Sequence, residues 1–308
     1  MKLPNIVIES IPFKLLVGSL KKVHFTKKKV NLFIFIVILI KEIEKDNLIE
    51  RARAMAFSYM LSIFPAIIFL FTLIPYIPIT NLKDQIMISL QEILPNSIYS
   101  SVNDTIYEIL NIPHGSLMSF GFILALYSAT NGIMAMINAF NSCYSSADRR
   151  SFFKKLLISL SIILMLSIVL VAAIGINLFM QVYIHYIPVD ERIHTGVLYV
   201  LKNLAVVSIF YIGLSLIYYF APAVHKRWSF FSHGSFIATL LILGFTLAFS
   251  YYVDHFSSYN KIYGSIGALI GLMLWFYMVS LVLLIGFEIN ACIEMADKPY
   301  YRQRFKWY

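Results

Sequence analysis

The distribution of lysine and arginine between long apolar runs is the feature that most constrains this chain. Read as six membrane-spanning helices, the 308-residue sequence places 21 of its 25 Lys and Arg residues on one side of the membrane. The other side receives Lys83, Arg192, Lys202 and Lys261. Cytoplasmic loops retain cations because anionic lipid and the membrane potential hold them there. The bias predicts a multi-pass membrane protein with both termini in the cytoplasm.

The composition agrees with a membrane bundle. Hydrophobic residues make up 59% of the chain, charged residues only 13%, and the mean hydropathy is +0.77. Because the net charge of +9 follows from the cytoplasmic cations, it predicts anionic lipid headgroups as partners and no nucleic acid. Cys143 and Cys292 both fall near predicted cytoplasmic helix ends, where thiols stay reduced, so no disulfide is expected.

The apolar runs predict an all-α fold, a polytopic membrane helix bundle with six transmembrane helices. The helices are expected at about residues 54–77, 117–140, 156–187, 197–220, 234–256 and 266–293. Three regions follow from this reading, namely a cytoplasmic and interfacial segment 1–50, a transmembrane domain 51–295 and a basic cytoplasmic tail 296–308.

Two segments are predicted to lie at the membrane surface. The apolar run from Val30 to Ile40 would extend roughly 16 Å as a helix, against about 30 Å of hydrocarbon. It is too short to span and is flanked by lysines, which favours an interfacial helix. The outer loop 79–116 carries two apolar stripes at helical spacing, which predict short amphipathic helices on the outer surface.

The first two transmembrane helices carry signs of a bend and of close packing. Pro65 removes a backbone hydrogen bond and should bend the first helix, with the Ser62 hydroxyl available to the loosened backbone. Small residues on the second helix predict close approach by another helix. If the protein transports, helices one and six are expected to move against a helix two–helix five pair; the alternative is a static kink.

Glu288 lies about a turn and a half inside the cytoplasmic end of the sixth helix. Burying a charge there costs at least about 2.5–3.5 kcal/mol, so a partner is expected. Arg51 or Arg53 lies at the same depth, and Asn290 or Ser58 could substitute. Two readings stay open, a gating or substrate-sensing carboxylate and a salt bridge that fastens helix six to helix one.

Amides add a second polar feature. Asn131 and Asn138 share a face of the second helix, where they either line a polar path or form interhelical hydrogen bonds. The run from Tyr259 to Gly267 contains two glycines and is a predicted hinge into helix six. The predicted polar path or gate comprises Arg51, Arg53, Ser62, Pro65, Asn131, Asn138, Asn260, Tyr263, Gly264, Glu288 and Asn290.

No enzymatic constellation emerges from the sequence. The seven histidines are scattered, and glycine-rich phosphate loops are absent. The sequence therefore predicts a protein that is not an enzyme, with no catalytic, cofactor-binding or metal-binding residues and no cofactor.

Several local motifs together resemble the YihY/BrkB family of bacterial inner-membrane proteins. They cover about residues 45 to 295, and the run at 54–65 departs mildly because the family often has tyrosine at the position of Phe57. The matching segments are AMAFSYMLSIFP at 54–65, NAFN at 138–141, RRSF at 149–152, YYFAP at 218–222, HG at 233–234, YNKIYGS at 259–265, LW at 274–275 and GFEIN at 286–290.

The resemblance implies a six-helix protein of the bacterial inner membrane with cytoplasmic termini. The family has been linked to virulence and to transport of lipids or lipid-linked molecules, and it has carried a ribonuclease label. The leading prediction is a transporter or lipid-handling, flippase-like protein. The alternative is a non-transporting scaffold or envelope-assembly or virulence factor. A membrane-bound ribonuclease has only the basic cytoplasmic surface behind it.

Overall fold

The described part of the chain is helical. The computed structural model describes residues 32–73, 75, 84, 87–88, 103, 106–108, 115–144, 149–183, 191–224, 227–255 and 265–296. No strand occurs in these residues, which confirms the all-α class. Their long helices are α1 (Leu32–Lys45), α2 (Leu48–Leu73), α3 (Gly115–Cys143), α4 (Phe152–Tyr183), α5 (Glu191–Phe220), α6 (His233–His255) and α7 (Ser265–Ala296).

Five of these helices are long and apolar enough to cross a bilayer. The spans are Leu48–Leu70, Met118–Cys143, Phe152–Ala173, His233–Tyr252 and Leu269–Met295. Helix α5 contributes a shorter apolar segment, Leu204–Phe220. A multi-pass membrane bundle is therefore confirmed, while the count of six transmembrane helices stays a prediction.

Helix α1 begins inside the predicted interfacial segment and continues to Lys45. Its 14 residues extend roughly 21 Å, still short of the hydrocarbon thickness. It packs against α7, where Phe35 and Ile38 meet Ile289 and Cys292. Its position at the membrane surface remains a prediction. In the outer loop, residues 84, 87–88, 103 and 106–108 are helical, and the rest of the predicted amphipathic helices lies outside the described residues.

The helices from α2 to α7 contact one another in a closed cycle. Helix α2 packs on α3 and on α7, α4 lies between α3 and α5, and α6 lies between α5 and α7. The largest fully buried side chains include Phe140, Met136, Leu284 and Phe287, on the halves of α3 and α7 nearest the α1–α2 turn. The core is therefore densest at that end of the bundle.

The small-residue stripe of α3 does receive a second helix. A Cβ atom added at Gly132 would lie 3.1 Å from the Tyr59 ring, and one at Gly121 would lie 3.5 Å from the Phe69 Cα. The partner helix is α2. The expected pairing of helix two with helix five (α3 with α6) is wrong for the described residues, because the glycines of α3 face α2.

Pro65 lies inside α2, which runs without interruption from Leu48 to Leu73. The bend there remains a prediction. The Ser62 hydroxyl donates to the Ser128 carbonyl of α3 at 2.6 Å, with the Ser58 carbonyl as a second acceptor at 2.8 Å. Ser62 therefore ties α2 to α3.

Candidate functional site

A tight turn between α1 and α2 places an acidic residue inside the bundle. Asn47 adopts a left-handed conformation with φ of 50°, which asparagine tolerates better than most residues. The Asp46 amide donates to the Glu42 carbonyl and closes α1, while the Arg51 Nε donates to the Asp46 carbonyl at 2.6 Å. Only two residues separate α1 from α2, and the Asp46 side chain at this turn is buried.

Three side chains converge beside this turn, and we call them the acid–thiol cluster. They are Asp46 at the turn, Cys143 at the last position of α3 and Glu288 within α7. One potential ligand atom from each lies within 4.8 Å of the other two. The residues are 8%, 2% and 0% exposed, respectively. The cluster therefore joins three separate parts of the chain in a site closed to solvent.

The cluster contains carboxylate oxygens without hydrogen-bond partners outside it. Within the described residues, neither oxygen of Glu288 accepts a hydrogen bond from outside the cluster, and the same holds for Oδ2 of Asp46. The expected pairing of Glu288 with Arg51 or Arg53 is not formed. The Arg51 side chain instead donates to the Asp46 backbone carbonyl, and Arg53 is exposed. The Ser58 hydroxyl donates to the Ala54 carbonyl. Glu288 is nevertheless buried in protein and does not face lipid.

The electrostatics of the cluster favour the uptake of positive charge. Burial raises the pKa of the Asp46 carboxyl, and Lys45 and Arg51 only partly offset this rise because Glu42 adds to it. Lys45 also forms an ion pair with Glu42 at 2.7 Å. Two neighbouring buried carboxylates cannot both stay charged at low cost unless they share a proton or bind a cation.

Asn290 lies two residues after Glu288 on α7, about half a helical turn away, and has a structural role. Its Oδ1 accepts a hydrogen bond from the Gly234 amide at 2.8 Å, and its Nδ2 donates to the Ser232 hydroxyl at 2.9 Å. Ser232 and Ser235 bond to each other's backbone amides at the start of α6. Asn290 thus binds an otherwise unpaired donor at the N-terminus of α6.

An aromatic group surrounds Glu294 at the same end of the bundle. Tyr144 and Trp228 donate to its two carboxylate oxygens at 2.6 and 2.9 Å. Burial, followed by this hydrogen bond, raises the pKa of the Tyr144 hydroxyl. The rings of Phe140 and Phe287 stack with centroids 4.7 Å apart. These contacts join α3, α7 and the segment between α5 and α6.

The amides of α3 do not share one environment. Asn131 is half-buried, whereas Asn138 is exposed and accepts a hydrogen bond from Lys155 at 3.1 Å. The buried amide of this helix is Asn141, whose Oδ1 accepts from the Ala223 amide at 2.7 Å. The structure thus does not bring Asn131 and Asn138 into the acid–thiol cluster. Three further predicted residues lie outside the described residues, namely Asn260, Tyr263 and Gly264.

An open groove of about 420 Å³ lies between α2 and α7. The two helices are antiparallel, since Tyr59 contacts Phe276 while Asp46 lies beside Glu288. One charged residue, Arg53, lines the groove at the end nearest the cluster. The other lining residues are apolar or aromatic: Ala56, Phe57, Ile270, Met273, Leu274 and Tyr277.

These helices define a polytopic α-helical membrane protein with a buried acidic site. The family described as Virulence factor BrkB matches residues 39–306. The chain belongs to this family, and the resemblance drawn from the sequence motifs is confirmed.

Curated relatives share most of their length with this chain. "Putative ribonuclease-like protein YfkH" of Bacillus subtilis is 31% identical over 264 residues, covering 81% of this chain and 91% of the relative. "UPF0761 membrane protein NTHI0384" of Haemophilus influenzae is 24% identical over 259 residues, covering 82% and 93%. A UPF0761 membrane protein of Psychromonas ingrahamii is 24% identical, covering 89% and 92%. No solved structure matches the chain.

The names of these relatives do not place the family among known enzymes. The words ribonuclease-like belong to the Bacillus subtilis protein, whereas the others are named only as membrane proteins.

The sequence analysis did not single out Asp46, Cys143 or Glu294 as site residues. Asp46 precedes a helix and looks like an ordinary N-terminal cap, and Cys143 and Glu294 look like polar helix ends.

Proposed function

We propose that this protein is a membrane transporter that handles an anionic amphiphile, a lipid or a lipid-linked molecule, at the α2–α7 groove. The observation that carries the proposal is the combination of a concave apolar surface with a cation at one end. A guanidinium offers several donors in a plane that matches a phosphate group, and Arg53 presents one at the groove. A headgroup would bind Arg53 and an acyl or prenyl chain would follow the apolar lining.

The groove differs from ordinary lipid-facing surface in its shape. Phe57 is 58% exposed, and Ile270, Met273 and Leu274 are each more than 40% exposed, yet they line a cavity between two helices. A helix surface that merely faces acyl chains needs no such recess. Tyr277 lies half-buried in the lining and adds a polar edge beside Arg53.

The packing supports a specific direction of movement. Helices α2 and α3 are tied by the Ser62–Ser128 hydrogen bond and by the glycine contacts of α3. Helices α5, α6 and α7 are tied by Asn290 and by the hydrogen bond from Tyr218 to the Leu283 carbonyl, 2.9 Å long. The groove lies between these two groups. In the proposal, α2 moves against α7 along the groove, while the contacts of Tyr144 and Phe140 hold α3 to α7 at the end nearest the α1–α2 turn.

The orientation in the bacterial inner membrane is part of this proposal. A cytoplasmic α1–α2 turn would place Arg53 in the inner leaflet, where anionic headgroups are also attracted by the basic termini. A thiol introduced at Asn103 should react with an impermeant maleimide on intact cells, whereas one at Arg302 should react only after permeabilisation. Both native cysteines are buried, so the background should be low. The reverse labelling pattern would overturn the orientation.

Reconstitution tests the proposed activity directly. In proteoliposomes, the protein should accelerate movement of a fluorescent phosphatidylglycerol between leaflets more than that of a zwitterionic analogue. Measuring lipid that copurifies with the protein would report binding separately. Bound anionic lipid without any movement between leaflets would favour the scaffold or envelope-assembly role, and absence of both would remove the groove as a lipid site.

A further inference from the structure

We propose that the acid–thiol cluster is a binding site for a divalent transition metal ion such as Zn²⁺. Asp46, Cys143 and Glu288 supply two carboxylate oxygens and one sulfur atom within 4.8 Å of one another. These are the donor types that bind Zn²⁺ in proteins, with bonds of about 2.0–2.3 Å. The site is separate from the α2–α7 groove, and it does not depend on the proposed transport.

The strongest support comes from Glu288. Its side chain is fully buried, and within the described residues neither of its carboxylate oxygens, nor Oδ2 of Asp46, has a hydrogen-bond partner from outside the acid–thiol cluster. Buried polar atoms are almost always paired, so unpaired oxygens beside one another indicate a missing positive partner. Nearby cations only partly fill this role, because Arg51 acts on the cluster through its charge while its Nε donates to a backbone carbonyl, and Lys45 pairs with Glu42.

The third donor favours a metal ion over a shared proton. A proton shared by the two carboxyl groups, with the Cys143 thiol facing Glu288 as a hydrogen-bond donor, would neutralise one charge and leave the sulfur atom protonated, whereas a metal ion uses all three donors. Thiolate ligands favour Zn²⁺ and similar ions, whereas Mg²⁺ and Ca²⁺ prefer six or more oxygen ligands. Ligand atoms of a tetrahedral site lie roughly 3.3–3.7 Å apart at such bond lengths, so small side-chain rotations would suffice.

The charges balance when the ion binds. As the ion binds, the Cys143 S–H bond breaks and the sulfur–metal bond forms, the proton shared by the two carboxyl groups is displaced as well, both protons leave to solvent, and no electrons are transferred. Two carboxylates and a thiolate carry three negative charges, of which the ion neutralises two, and the adjacent Arg51 offsets the third. Three protein ligands leave a fourth tetrahedral position for water or another ligand. The bound ion would join the α1–α2 turn, α3 and α7.

Cobalt titration of the full-length protein in detergent tests this assignment. Co²⁺ should produce a sulfur-to-cobalt charge-transfer absorption at one ion per chain, Zn²⁺ should displace it, and Mg²⁺ should not. The matched variants are Cys143→Ala and Cys292→Ala, since the chain has only these two cysteines. Cys292 lies among apolar side chains of α1 and α7, outside the cluster.

The two cysteine variants should give opposite results. Cys143→Ala should abolish the absorption, and Cys292→Ala should retain it, with thermal unfolding confirming that each variant is folded. If Cys143→Ala does not fold, retention in Cys292→Ala still assigns the signal, because one thiol remains there. Glu288→Gln should weaken Zn²⁺ binding more than about 100-fold, since loss of outer-shell partners alone costs 10–100-fold. No absorption in the wild-type protein, or absorption that follows Cys292, would overturn the proposal.

Discussion

Replacing Gly234 with alanine is expected to lower the free energy of unfolding by more than about 3 kcal/mol. A Cβ atom at this position would overlap the backbone carbonyl of Gly286 and lie 2.6 Å from the Asn290 side chain. The carbonyl cannot rotate away as a side chain would, so α6 and α7 would have to separate. Overpacking costs about 1–3 kcal/mol, and the buried hydrogen bond between Gly234 and Asn290 would be lost as well. Thermal unfolding of the purified protein measures the effect.

The same helix provides a matched control. A Cβ atom at Gly244 meets nothing within 4 Å, so Gly244→Ala should leave stability unchanged or raise it by about 0.5–1 kcal/mol through helix propensity. Gly286→Ala should resemble Gly234→Ala, because its Cβ would overlap the Tyr218 hydroxyl and lie 2.8 Å from Ala238. Equal stability of Gly234→Ala and Gly244→Ala would contradict the close contact between α6 and α7.

This contact explains two motifs that the sequence could only match. The pair at 233–234 and the run at 286–290 were visible as family signatures. The structure shows that both motifs form the same contact between α6 and α7. Gly234 and Gly286 let two backbones meet, and Asn290 binds the amide that this approach leaves at the start of α6. A sequence shows that a glycine is present, whereas the neighbour that requires it lies more than 50 residues away along the chain.

Hydropathy was sufficient to predict the helical class and the five candidate spans because each membrane span is a local property. Every span in the described residues corresponds to an apolar run of the sequence, and the interfacial position of the run from Val30 to Ile40 stays a prediction. Helix α5 is not among these candidate spans, because its apolar part, Leu204–Phe220, is shorter than the apolar parts of the other five helices. Which helices pack together is not local, and the expected partner of the α3 glycines was wrong for that reason.

The buried site could be predicted only in part. Glu288 stood out because a carboxylate inside an apolar helix is costly, and the structure places it at the centre of the acid–thiol cluster. Its partner was predicted from depth alone, which favoured Arg51 or Arg53. The left-handed turn at Asn47 changes that outcome, because it directs the Arg51 side chain to a backbone carbonyl and the Asp46 carboxylate inward.

Replacing Arg53 with alanine is expected to reduce binding and movement of anionic lipid by about 10- to 100-fold under the proposed function. Hydrogen bonds to a charged group contribute about 1.5–3 kcal/mol, and Arg53 is the charged residue among those that line the groove. Arg53→Lys should have an intermediate effect, because it keeps the charge but loses the paired donors. Leaflet exchange of fluorescent phosphatidylglycerol and the amount of copurified lipid are the two measurements.

The control for this variant removes one cation elsewhere on the protein. Lys154 is exposed at the start of α4, which does not line the groove, so Lys154→Ala changes the net charge equally without altering the site. Arg53 is itself exposed, and its replacement should leave thermal stability within about 0.5 kcal/mol of the wild-type value. If Arg53→Ala and Lys154→Ala lower lipid movement to the same extent, the effect comes from general attraction to the membrane. A loss confined to Arg53→Ala at unchanged stability would assign headgroup recognition to the groove, because Arg53 is the cation that lines this recess.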